Sequence, residues 1–134
     1  MPVALIITLA LHVLAGVFWA GSVFALARDP KLGAEALFRP QMGAAVIAVL
    51  TGAYLWHLLH EGGFGPVETV LAVGALCAIA AAGVQGALVG GATRRRRAGQ
   101  ISEAEAAGRI ALGTRVAALL LAVTLICMVT ARYV

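Results

Sequence analysis

Four long apolar stretches, separated by short segments that hold nearly all the charge, set the pattern of this chain. The apolar runs cover about residues 3–27, 41–60, 67–92 and 109–131. As an α-helix, each reaches the ~20 residues that cross the hydrocarbon core of a bilayer. The punctuation agrees. Pro30 and Pro40 bracket the first loop, and Glu61-Gly62-Gly63-Phe64-Gly65-Pro66 reads as a tight turn. The third connection runs from Thr93 to Gly108 and carries Arg94 to Arg97. It then has Ser102-Glu103-Ala104-Glu105, an N-cap followed by an acidic first turn, so the fourth helix is expected to begin before it enters the membrane. The pattern predicts an all-α fold: an integral membrane antiparallel four-helix bundle, one domain, with both termini outside.

Composition supports the bilayer as solvent. Of 134 residues, 62% are hydrophobic and 12% charged, against ~25% charged in soluble domains. The net charge of +4 raises the question of nucleic acid. The cations instead sit in two short loops between apolar runs, so no nucleic acid partner is expected. Arg28, Lys31 and Arg39 lie at the first loop. Arg94 to Arg97, Arg109 and Arg115 lie at the third, and only Arg132 of the ten basic residues lies on the opposite side. The positive-inside rule places both basic loops in the cytoplasm, which makes the chain a multi-pass protein of the inner (plasma) membrane. Ala25-Leu26-Ala27 resembles a signal cleavage site. No basic segment precedes it, and its apolar run exceeds the ~7–15 residues of a signal core, so a retained first helix is expected.

Polar groups inside apolar runs carry the functional interest, because lipid makes them costly. All three histidines belong to the outer half: His12 in span 1, and His57 and His60 near the outer end of span 2. His12 lies nine residues into its span, about 13 Å along it. Cys77, Cys127 and Met128 fall in the same half, with Glu61 and Glu68 at its surface. In span 1, His12, Gly16, Trp19 and Val23 share a helical face; in span 2, Leu50, Tyr54, His57 and Glu61 do. Gly16 leaves room beside His12 for a flat macrocycle or another helix. Two histidines on adjacent antiparallel helices can supply both axial ligands of a haem. His60 reads first as an interfacial residue and His57 equally as interfacial residue or ligand; Cys77, Cys127 and Met128 read first as packing residues, and Trp19 and Trp56 as packing or interfacial anchors. Arg115 is expected to reach the cytoplasmic face, with Gln85 as its partner. Gly86 and Gly90 form a GxxxG pair suited to close helix contact.

The stretch Leu11-His12-Val13-Leu14-Ala15-Gly16-Val17-Phe18-Trp19-Ala20-Gly21 resembles the first helix of the CopD copper-resistance membrane domain and of HemJ-type protoporphyrinogen oxidases. Leu50-Thr51-Gly52 is similar to the stretch that follows in CopD-like proteins. The resemblance implies a small helical bundle with a histidine-ligated cofactor. CopD-like proteins are associated with copper handling; HemJ-like ones bind haem b and oxidise a porphyrinogen. His12 and Trp19 carry over directly from the motif.

Three functions follow as expectations. The first is a haem b protein for electron transfer or oxidation, bound by His12 and His57 with Gly16, Trp19 and Tyr54 alongside. The second is copper binding or transport, with His12, His57 and His60 as metal ligands and Cys77, Cys127 and Met128 as weaker ones. The third is a structural subunit without cofactor. Expected partners are the lipid bilayer and a redox partner or a second copy of the chain. Hydrolase and kinase chemistry have no support, since no nucleophile–base pair or phosphate-binding loop stands in the spans.

Overall fold

The computed structural model describes residues 2–134. It contains four long helices: α1 (Val3–Arg28), α2 (Ala34–Leu59), α3 (Pro66–Arg97) and α4 (Glu103–Tyr133), the last ending in a 3₁₀ turn. All four are long and apolar enough to cross a membrane. The fold is an all-α four-helix bundle, and its helices make it a multi-pass membrane protein. α1 packs along α2 and α3 along α4; α1 with α4 and α2 with α3 make smaller contacts of similar extent. Four passes bring both termini to one face.

Local chemistry explains where the helices start and stop. α1 ends at Arg28, and the side chain of Asp29 accepts from the Lys31 amide at 3.1 Å in the short turn that follows. Gly33, at φ +88°, then reverses the chain. α2 starts at Ala34, well before the expected residue 41, and runs through Pro40. Two contacts on that first stretch hold it to α3 and outweigh the missing proline N–H. Phe38 lies against Gly90, and Glu35 pairs with Arg96. The third connection is likewise shorter than its sequence suggests. α3 continues through all four arginines and closes with the Gly99 amide on Arg96 O (3.0 Å) and the Gln100 amide on Arg95 O (2.9 Å). This Schellman arrangement requires the left-handed φ of +72° that Gly99 provides. Ser102 caps α4 as expected, its hydroxyl accepting from the Glu105 amide at 3.1 Å.

The core lies toward the arginine-rich end of the bundle and is built from small residues. Ala15, Ala20, Ala44, Ala45, Ala48, Ala81 and Ala117 surround Trp19, Val23 and Leu121. Without a hydrophobic drive in lipid, such residues let helices approach closely enough for packing and hydrogen bonding to hold them. At Gly74 a Cβ would stand 2.9 Å from Cys127 Cβ, and at Gly90 it would stand 2.7 Å from the Phe38 ring. Gly86, its expected partner in a GxxxG contact, meets nothing within 4 Å. Gly90 alone makes the close approach, and it does so to a ring rather than a backbone. The bundle exposes 8016 Å², more than the ~6,600 Å² that a soluble monomer of this mass shows. Leu14, Val17, Leu50, Leu76 and Leu119 are among the large side chains on that surface. Lipid contact completes their burial.

Candidate functional site: a histidine on the α1–α2 seam

His12 leans from α1 onto α2. Its Nδ1 lies 2.9 Å from Ala48 O and 3.0 Å from Thr51 Oγ1. A carbonyl oxygen can only accept, so Nδ1 must carry the proton. The Thr51 hydroxyl donates to Ile47 O and keeps a lone pair for the same N–H. In the neutral ring this places the proton on Nδ1 and leaves the lone pair on Nε2. Gly52 makes the pose possible: a Cβ there would sit 3.1 Å from His12 Cε1. Gly16, one turn along α1, has nothing within 4 Å of where its Cβ would be. His12 is half-buried, and among the described residues no hydrogen bond engages Nε2.

Trp19 and Val23 on the same α1 stripe point into the core, at 2% and 0% exposure. Trp19 does not stand beside an open site. Its Nε1–H donates to Gln85 Oε1 at 2.7 Å, Gln85 Nε2 donates to Gln41 Oε1 at 3.1 Å, and Gln41 Nε2 donates to Ser22 Oγ at 3.0 Å. Ser22 Oγ returns to Trp19 O at 3.1 Å, closing a ring of polar groups through α1, α3 and α2. Gln85 therefore does not partner Arg115, whose side chain is exposed. Gln85 opens a wide π-helical turn, Gln85–Gly90, inside α3, a feature that often marks constrained or functional places.

The span-2 stripe expected to carry the second ligand is exposed: Leu50, Tyr54, His57 and Glu61 all face outward. α2 meets His12 through Ala48, Thr51 and Gly52, and His57 lies five residues beyond Gly52 on another side of the helix. The packing of one chain does not bring His12 and His57 together as an axial pair. His60 turns back at the α2–α3 turn, stacks near Trp56 with centroids 5.2 Å apart, and holds Nε2 3.9 Å from Glu68 Oε1. Cys127 and Met128 pack against Gly74 on the α3–α4 seam, and Cys77 and Cys127 are free thiols. Among the described residues, no three His, Cys, Asp or Glu side chains form a metal-binding group.

The polar ring was not foreseen from the sequence. Its signal was present, in that Gln41 and Gln85 are amides within apolar helices and need partners there. Trp19 and Gln85 each lie nine residues from the arginine at the basic end of their spans, Arg28 and Arg94, so depth alone could have matched them. In comparison with known proteins, the chain matches no family model, no curated protein and no solved structure.

Proposed function

We propose that this chain is a small integral membrane protein that carries a histidine-ligated redox cofactor, haem b, on Nε2 of His12. The observation that carries this reading is the commitment of Nδ1–H to Ala48 O. Ligating histidines almost always hold their other ring N–H on a carbonyl or carboxylate, which sets the tautomer, orients the ring and makes the free nitrogen more basic. A histidine that served packing alone has no need of an unengaged ring nitrogen at this depth.

The chain's own contributions are few. Ala48 and Thr51 keep the proton on Nδ1, Gly52 lets the ring lie against α2, and Gly16 leaves open space one turn away. The apolar flanks of α1 keep water from the site. Haem b held by histidine supplies one-electron chemistry. With His57 outward, the site in a single chain offers one histidine, and a second ligand would come from another copy or a redox partner. Copper is the second reading and would use the same nitrogen. The soft donors Cys127 and Met128 stand on the other seam, against Gly74, and this favours haem.

Composition of the purified protein tests the choice. The full chain, expressed with ample haem and purified in detergent, is extracted for haem and assayed for iron and copper. The proposal expects close to one haem and one iron per chain or per pair of chains. Copper without haem selects the second reading, and neither metal overturns both.

A further inference from the structure

We propose that the inner end of the α3–α4 seam is a binding site for the head group of an anionic phospholipid. Arg94 and Arg95 from the last turns of α3 and Arg109 from α4 line a groove whose remaining walls are Ala87, Leu88 and Gly91. Its volume, about 430 Å³, lies in the ~300–1,000 Å³ range of small-ligand sites and accommodates a phosphoglycerol group.

Charge is the first argument. Arg96, on the same turn, is committed to Glu35 and stands 3.9 Å from Glu103. Among the described residues, none of the three groove arginines has a carboxylate at ion-pair distance. Guanidinium groups from two helices therefore converge without a counter-charge, and their planar forks match phosphate oxygens. Topology alone asks only for cations near the span ends, not for their convergence on one groove.

Polarity along the groove is the second argument, and it selects a lipid over free phosphate. Ala87 and Leu88 belong to the wide turn of α3, one to two turns deeper in the span than Arg94 and Arg95. Gly91 stands between the two levels, and a Cβ there would come no nearer than 4.0 Å to Arg94 Nη2. The groove is cationic where head groups lie and apolar where acyl chains begin. Basic pockets between helices on the cytoplasmic side suit anionic lipid in this way.

The test is native mass spectrometry of the full chain released from micelles holding equal phosphatidylglycerol and phosphatidylcholine. The expected result is one retained phosphatidylglycerol per chain. Retention should fall by about tenfold or more in Arg94→Gln/Arg109→Gln, hold in Arg97→Gln, and resist millimolar inorganic phosphate. Arg109→Gln alone, expected to lower retention in the same direction, carries the test if the double variant fails to insert. Equal retention of the two lipids, an equal loss in Arg97→Gln, or displacement by inorganic phosphate would each overturn the proposal.

Discussion

The indole N–H of Trp19 donates to Oε1 of Gln85 at 2.7 Å, tying α1 to the wide turn of α3 inside an otherwise apolar bundle. Both residues are 2% exposed, and every polar atom of the link is spent on protein rather than on lipid or water. In lipid an interhelical hydrogen bond contributes about 0.6–2 kcal/mol. The ring of four side chains thus fixes the relative depth of three helices that alanine packing alone would leave free to slide.

That link should appear as energetic coupling. Trp19→Phe removes the donor and leaves Gln85 Oε1 unpartnered; Gln85→Leu removes the acceptor and strands Gln41. Each is expected to destabilise the bundle by about 1–3 kcal/mol. The double variant should lose less than the sum, because the second change removes a group already orphaned. Reversible denaturant unfolding in mixed micelles measures the cycle, and strict additivity would show that the bond contributes nothing.

Glycine positions should divide by what faces them. Gly74→Ala puts a methyl 2.9 Å from Cys127 Cβ and 3.4 Å from Thr124 O. Neither can swing away, and Thr124 Oγ1 also donates to Gly74 O at 2.9 Å. A loss of about 1–3 kcal/mol is expected as α3 and α4 separate. Gly16→Ala meets open space and should leave unfolding unchanged while altering any cofactor spectrum. Equal effects of the two substitutions in unfolding would contradict the packing described.

Most of the fold was legible in the chain, because four apolar runs and two basic loops leave few alternatives. The loop lengths were not. Pro40 reads as a boundary until Phe38 and Glu35 are seen to hold that stretch on α3. The site was half legible. His12 stands out by its depth, whereas the outward turn of His57 depends on which side of α2 meets α1. The stripe of Leu50, Tyr54, His57 and Glu61 is real, but helical periodicity gives a face without giving its direction. The partners of His12 were equally hidden, since Ala48 takes part only through its backbone carbonyl.

Orientation rests on the arginines and is open to direct test. With the two basic loops inside, a cysteine at Gly63 should react with a membrane-impermeant maleimide in intact cells. A cysteine at Gln100 should react only after permeabilisation. Both sites are exposed, and each stands at a loop between helices. The reverse labelling pattern would place the termini in the cytoplasm and move His12 to the inner leaflet.

The most direct test of the account is the visible spectrum of the haem-supplied protein, oxidised and dithionite-reduced, beside His12→Ala and His57→Ala. The account predicts a Soret band that is lost or strongly shifted in His12→Ala, with sharp reduced α and β bands where a second copy or a partner supplies the other ligand. In His57→Ala the Soret band should persist when the protein is held as a single chain. A colourless protein, or a spectrum indifferent to His12→Ala, would contradict the assignment of His12 as the ligand.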